Sequence, residues 1–330
     1  MKSKPEPYHP LQNFLDAMPE VSGNTVNGLG ESEVRQPSPF FWHPPNKQTH
    51  GDLQAEVIRY HRQSDAMREH FNPEPPGGRG PAPAEKADEV VSNEPSAWVA
   101  SLKEFALAND GDDVRIAAMN PLYVYEGYEL NDPWVILIAV TMDYEELAQA
   151  PASFENPTAG VVVAKEYNRA SRACRKLANW ILEQGYYAKP WPGPYASALS
   201  MMPAAIDSGL GQLGKHGSLI HRQFGSSFRL AAVTTDMPLV ADTPEDFGSE
   251  DFCLNCQVCT KACPPQAISN DKQMVRGVEK WYVDFDKCIP YFGQTLACGI
   301  CLAVCPWSKP GTGPRLAEKM LRRRNKTNPD

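Results

Sequence analysis

Eight of the nine cysteines in this 330-residue chain fall between Cys253 and Cys305; the ninth is Cys174. A disulfide-stapled secreted protein spreads its cysteines more evenly through a smaller chain. Crowding of this kind points to metal. The first run reads Cys253, two residues, Cys256, two residues, Cys259, three residues, Cys263, then Pro264. The second reads Cys288, nine residues, Cys298, two residues, Cys301, three residues, Cys305, then Pro306. A cubane of four irons and four sulfurs needs four thiolates. In the bacterial ferredoxin run three come from one run, and the fourth, before the proline, serves the other cluster. That crossing predicts two 4Fe–4S clusters, one on Cys253, Cys256, Cys259 and Cys305, the other on Cys263, Cys288, Cys298 and Cys301. Zinc also uses paired two-residue spacings. It does not account for a three-cysteine run with a fourth before proline, twice over. Two clusters in series read as a wire between an outside donor and an inside acceptor.

Composition narrows the rest. Apolar residues make up 42% and charged residues 22%, ordinary for a globular chain. The net charge of −8 argues against a role driven by phosphate contacts, so no nucleic-acid partner is expected. No apolar run reaches the ~18 residues a membrane span needs, and no membrane partner is expected. The N-terminus MKSKPEPYHPLQ has no apolar signal core or twin-arginine pair, which predicts a cytoplasmic protein. The basic residues from Arg315 to Lys326 read as a solvated tail over 311–330.

Residues 1–92 are rich in proline, glycine and polar residues and predict an extended or disordered arm. Within it, Pro39–Pro45 (PFFWHPP) is aromatic and is expected to clamp onto the folded body, with packing preferred over substrate contact. Regular structure is expected from Ser96, which would cap a helix bearing Trp98, Leu102 and Phe105. Val114–Met119, Trp134–Met142 and Phe228–Leu239 read as buried strands. A long helix is predicted from about Ala164 to Gln184, with Tyr167, Cys174 and Ile181 on one face and Gly185 as its stop. The expected fold is therefore α/β (α+β), with a core over 93–245 and a ferredoxin-like domain over 246–310.

The body carries one GxGxxG match, Gly209, Gly211 and Gly214, but no clear helix start and no acidic ribose ligand follow it. These glycines are expected to make turns or to let the backbone approach a large flat cofactor. From Glu166 to Leu239 the chain resembles the cobalamin-binding core of reductive dehalogenases. The shared features are a Tyr opening a helix, GYYA (Gly185–Ala188), PAAIDSGLGQLGKHGSLI (Pro203–Ile220), FG, an Arg, and VTTDMPL (Val233–Leu239). The cysteine runs follow, ending CGICLAVCPW. The resemblance spans roughly 95–310 and is closer to the cytoplasmic, catabolic branch, without that branch's fused flavin reductase module.

The resemblance implies a nitroreductase-like cobalamin-binding core and a bacterial two-cluster ferredoxin-like domain. It implies removal of halide from a small, expectedly aromatic organohalide by cob(I)alamin. It carries a proton-donating Tyr onto Tyr167 and its cationic partner onto Arg229, and the glycine-rich stretch implies cofactor contacts at Gly209, Gly211, Gly214, Lys215 and Gly217. A phenol of pKa about 10 is a poor acid at neutral pH, and a guanidinium beside it favours the phenolate. Read from the residues alone, Tyr167 is a core tyrosine and Arg229 an exposed charge or ion-pair member. Lys215 approaches a corrin side chain or solvates a turn, and Cys174 is a small buried hydrophobe. None of the seven histidines sits two residues after an Asp, so the Asp-x-His-x-x-Gly corrinoid ligand motif is missing. An external low-potential donor such as ferredoxin or flavodoxin is expected. Specificity is expected from the segment before Tyr167, from Pro190–Tyr195, from the aromatic arm and from Tyr291–Phe292. Two other readings stand beside this one. Epoxyqueuosine reductases share the corrinoid core, and Glu166–Tyr167 mimics their acid–Tyr pair, but their second cysteine motif has a longer insertion. An electron carrier or corrinoid escort without its own substrate is the other.

Overall fold

The computed structural model describes residues 8–194 and 197–327. Within the N-terminal arm it differs from the sequence expectation. Residues up to 71 carry helices α1 (Gln12–Asp16), α2 (Gly23–Val26), α3 (Gly51–His61) and α4 (Asp65–Phe71). They form because a few separated apolar side chains find buried partners elsewhere. Phe14, Leu53 and Val57 pack with Ile289, and Met67 packs with Leu296. Each such burial contributes ~1.5–3 kcal/mol that a free arm would forgo. Phe40 and Phe41 do clamp, meeting Phe285 at ring-centroid distances of 4.4 and 5.6 Å. Residues 82–91 form no helix or strand. Their backbone hydrogen-bonds along the end of the long helix described next, Ala87 N–H to the Leu182 carbonyl at 2.9 Å and Val91 N–H to that of Gln184 at 3.0 Å.

The core follows the predicted order. It comprises α5 (Pro95–Ala108), β1 (Asp113–Ala118), β2 (Trp134–Thr141), α6 (Tyr144–Leu147), α7 (Thr158–Glu183), β3 (Ala188–Pro192), α8 (Met201–Asp207), β4 (Gln212–Leu213), β5 (Leu219–Ile220) and β6 (Phe228–Thr235). The predicted Ser96 cap is absent. Glu94 occupies the N-cap position, and Pro95 at the first helical position fixes the start. α7 begins before the expected Ala164, and Gly185 at φ +87° ends it as predicted.

β1, β2, β6 and β3 form one antiparallel sheet in the order β1–β2–β6–β3. Side chains alternate across it. Ile136, Ile138 and Val140 face α5 and α7, together with Val114, Ile116, Ala231 and Val233. Val135, Leu137 and Ala139 face α8 and Leu219 on the other side. Both faces are covered, which is why β2 reads as an unbroken apolar run.

The cysteine-bearing unit contains α9 (Ser249–Asn255), α10 (Val258–Ala262), β7 (Gln273–Val275), β8 (Val278–Lys280), α11 (Phe285–Gln294) and α12 (Ile300–Ala303). The basic C-terminal stretch is not a solvated tail. Thr312–Thr327 is a helix, α13, whose Ala317 and Met320 are buried and whose Arg324 pairs with Asp246 and Asp251. Its few apolar residues are enough to seat it against Trp307 and Phe247. Among the described residues no helix is long and apolar enough to cross a membrane.

Candidate functional site: two cysteine groups and a shared cavity

Among the described residues no three cysteines form a set placed to hold a metal ion, yet the sulfurs of the two runs act on one another through space. Burial, the largest cause, pushes the thiols of Cys253 and Cys298 up to about 11 and those of Cys288 and Cys305 up to about 12. Mutual repulsion adds to this and reveals the neighbours. Cys305 feels Cys253, Cys259 and Cys256. Cys288 feels Cys298 and Cys263, and Cys301 feels Cys298, Cys288 and Cys263, with Cys259 of the other group also in range. Such thiols stay protonated at neutral pH unless a cation compensates them, and a metal that takes thiolates does so.

Backbone donors surround the sulfurs. Cys253 accepts from the Lys215 N–H, Cys305 from that of Trp307, and Cys298 from those of Ile300 and Gly299. Around Cys298 the chain follows a left-handed path. Leu296, Ala297, Cys298 and Gly299 all have positive φ, at 47°, 83°, 42° and 86°. Left-handed non-glycine residues cost about 1–3 kcal/mol each and persist where the surroundings over-determine them. α7 helps here: a Cβ on its Gly160 would lie 2.5 Å from the Leu296 carbonyl oxygen, so only glycine admits this loop.

Tyr167 lies on α7 and is held from two sides. Gly193, just past β3, packs so closely that a Cβ there would sit 2.7 Å from Tyr167 Cε1. Arg229 of β6 lies over the ring, its Cζ 5.5 Å from the centroid, within cation–π range. Its Nε–H donates to Met142 Sδ at 3.3 Å. Among the described residues no carboxylate lies within 4.0 Å of Arg229, so its charge is directed at the ring. Glu166 points elsewhere. One residue turns a helix by about 100°, and Glu166 is buried with its Oε2 3.5 Å from Arg169, its carboxyl raised by burial. It lines none of the cavities described below.

Three cavities, of about 410, 290 and 290 Å³, share Trp42, Tyr167 and Pro194 as walls. One of the smaller two is the junction. It is bounded by Tyr167 and Arg229 on one side and by Cys288, Cys298 and Cys301 on the other. Trp42 is the residue that sequence reasoning undervalued. It belongs to the aromatic run expected to pack, and it holds φ +69° while its N–H donates to Gln54 Oε1 at 2.5 Å. Pro190–Pro194 also lines the 410 Å³ cavity, while Tyr195 lies outside the described residues. Phe292 reaches the junction; Tyr291 instead meets Tyr8 of the arm, ring centroids 4.8 Å apart.

The glycine-rich stretch is only partly at the site. Gly217 lines the junction. Gly209, Gly211, Gly214 and Lys215 line none of the three cavities. Gly209 abuts the Thr243 carbonyl and Gly211 that of Ile220, so these glycines serve turns around the β4–β5 hairpin. Lys215, expected near a corrin or in solvent, is buried instead, its Nζ 4.8 Å from the Trp281 ring centroid. Cys174 is buried in the main core, its thiol donating to the Ser171 carbonyl at 3.3 Å.

Two features test whether the expected groups fit. The Lys215 ammonium is buried without a hydrogen-bond partner and acts on Cys253 and Cys259. An anionic thiolate-bound cluster supplies the charge it lacks. In the junction, His216 donates no free nitrogen: Nδ1 accepts from Ser218 N–H at 3.2 Å and Nε2 meets Ser226 Oγ at 2.9 Å. His61 Nε2 meets the Gly293 carbonyl at 2.9 Å.

Comparison with known proteins agrees with the geometry. Residues 252–309 match a 4Fe-4S dicluster domain model. A tetrachloroethene reductive dehalogenase of Desulfitobacterium hafniense is 34% identical over 188 residues, 53% of this chain and 33% of that protein. An epoxyqueuosine reductase of Synechococcus sp. is 31% identical over 190 residues, 52% of this chain and 54% of that protein. The solved catabolic reductive dehalogenase NpRdhA, in complex with 3-bromo-4-hydroxybenzoic acid, matches with a TM-score of 0.65 at 25% identity, covering 82% of this chain and 39% of that one. The resemblance to reductive dehalogenases, with epoxyqueuosine reductases as relatives, is therefore borne out. The chain spans about a third of the length of the curated dehalogenase it matches.

Proposed function

We propose that this chain is a reductive dehalogenase that removes halide from a small organohalide, using a corrinoid fed by two 4Fe–4S clusters. The observation that carries the reading is the junction cavity, with Tyr167 and Arg229 on one wall and Cys288, Cys298 and Cys301 on the other. On this reading Cys253, Cys256, Cys259 and Cys305 hold one cluster and Cys263, Cys288, Cys298 and Cys301 the other. The core is nitroreductase-like, and the corrinoid lies in the junction beside Gly217 with no histidine ligand. Electrons enter at the first cluster from a ferredoxin or flavodoxin. Cys256 is only half-buried there, and exposed Leu254 and Val258 flank it.

The reaction takes R–X, two electrons and a proton to R–H and halide. A bound, reduced corrinoid supplies the reductant for the carbon–halogen bond. The residues of this chain supply position and the proton. Gly193 fixes the Tyr167 ring, and Tyr167 Oη holds the proton that replaces the halogen. As that proton leaves, the guanidinium of Arg229 over the ring stabilises the negative charge left on the phenol. Apolar walls from Val163, Leu302 and Phe292 exclude water and strengthen that interaction. The epoxyqueuosine reading needs an acid beside the tyrosine, and Glu166 faces Arg169 instead. A carrier without substrate gives the Tyr167–Arg229 pair no task.

Tyr167→Phe tests the assignment. Halide release should fall by about 10²-fold or more, the usual scale of a positioned proton donor, with iron and corrinoid contents unchanged. Unchanged turnover would remove Tyr167 from the role.

A further inference from the structure

Cys256 is half-buried, and Leu254, Asn255, Gln257 and Val258 around it are all exposed. The stretch that carries Cys298 and Cys301 is the opposite case, for no residue from 289 to 303 is exposed. A protein partner therefore meets the cysteine unit at the Cys256 loop. Leu254 and Val258 are 56% and 41% exposed there. Scattered singly, exposed apolar residues are ordinary. These two flank one cysteine, and the charge around them decides their use.

That charge is positive. Between Cys305 and Thr327 the chain carries seven lysines and arginines against one acid, Glu318, although its net charge is −8. Most of them lie on α13, which is fixed to α9, the helix that ends beside Cys256. A Cβ on Gly248, the N-cap of α9, would lie 2.6 Å from Met320 Cβ, and Arg324 pairs with Asp246 and Asp251. One face of α13 is thereby occupied, with Gly313, Ala317 and Met320 buried. Arg315, Lys319, Arg322 and Lys326 recur at helical spacing on another, and all four are exposed. The acids close by are already engaged: Glu318 pairs with Arg322, Asp251 with Arg324 and Glu250 with Lys272. A helix face kept only for solubility alternates in sign; this stripe does not. Nor does α13 suit a bilayer, because its apolar side is buried against Trp307 and Phe247 and has nothing to insert.

We propose that the outer face of α13 and the Cys256 loop together dock an acidic one-electron carrier protein. The stripe attracts and orients the carrier's carboxylates, while Leu254 and Val258 seat the surface over its redox centre. Such attraction raises encounter rates by about 10- to 10³-fold at low salt. The chain's overall negative charge repels the same carrier elsewhere, so the productive orientation is selected. A small contact suits this work, since electron-transfer encounters bury less than ~1,200 Å² and release quickly. At each encounter the carrier loses one electron and the first cluster gains one; no bond changes. Two encounters supply the pair that the reaction consumes. The electron's destination rests on the proposed function; the docking face stands on exposure and charge.

The full chain, reconstituted with iron, sulfide and corrinoid, is mixed with a reduced acidic two-iron ferredoxin, and transfer is followed by stopped flow. The second-order rate should fall at least tenfold as salt rises from about 0.01 to about 1 M, which shortens the screening length from about 30 to about 3 Å. Lys319→Glu with Lys326→Glu should lower the low-salt rate at least tenfold, and the same two positions changed to Arg should keep it. Val258→Asp should slow transfer at every salt concentration. Methyl viologen radical, a small cation that needs no docking face, reports on the clusters themselves. A ferredoxin rate indifferent to salt, or unmoved in the Glu variant, would overturn the docking face. So would an equal loss with methyl viologen, which places the effect at the clusters. Sedimentation with phosphatidylserine vesicles, lost in the Glu variant while the ferredoxin rate ignores salt, would assign the stripe to a lipid surface and overturn it too. Stripe-dependent transfer without halide from any organohalide would uphold the face and sink the dehalogenase reading. Halide release driven by methyl viologen, with the ferredoxin rate unmoved, would do the reverse.

Discussion

Lys215 is 1% exposed, and its ammonium nonetheless lacks a hydrogen-bond partner. Its backbone N–H reaches Cys253, and its charge acts on Cys253 and Cys259. Cluster potentials follow net charge, burial and hydrogen bonds to sulfur. Removing this cation should make the first cluster harder to reduce. Lys215→Met is expected to move its midpoint more negative, on the order of 50–100 mV for a unit charge at this range and an effective dielectric near 20. A redox titration followed by electron paramagnetic resonance reads it, with the second cluster as the unmoved reference. Equal shifts in both clusters, or none, would reject the assignment. Nothing in the turn Gly214–Gly217 signals this role, because Trp281 and Cys253, which enclose Lys215, lie far along the chain. Trp42 is hidden for the same reason. The roles proposed for Tyr167 and Arg229 come only from the family resemblance; helical position alone makes Tyr167 a core residue.

At the scale of elements, α7 and β2 were plain because their burial is local and periodic. α3, α4 and α13 were not, since each is mostly polar and folds on a few anchors supplied by another part of the chain. That dependence makes the arm separable. Burial holds His43 and His61 neutral, each brought down to about 4 from an ordinary 6.5. The folded arm therefore binds fewer protons than the free arm between those values. Its docking is fully supported above pH 6.5 and weakens as pH falls toward 4, by on the order of 3 kcal/mol per histidine at the limit. Hydrogen exchange should show protection of residues 51–71 lost over that window while β2 and β6 keep theirs. An arm that stays protected down to pH 4 would contradict this.

At the scale of the whole molecule, core and cysteine unit are locked rather than tethered. Gly225, at φ +58°, lets the Trp307 backbone approach so closely that a Cβ would lie 2.3 Å from its carbonyl, and Ser226 N–H donates to Ser308 Oγ at 3.0 Å. Residues 252–309 match the dicluster model, and on the proposed function this joint sets the distance that electrons would travel. Charge, cysteines and core strands could be read along the chain, whereas the junction cavity exists only once arm, core and cysteine unit meet. Its purpose is tested most directly by counting halide. The reconstituted full chain, given a low-potential one-electron donor and a panel of small organohalides, should release one halide for every two electrons consumed with at least one of them, and none without corrinoid. Electron uptake with no halide from any organohalide, alongside reduction of epoxyqueuosine in a tRNA stem loop, would contradict the account.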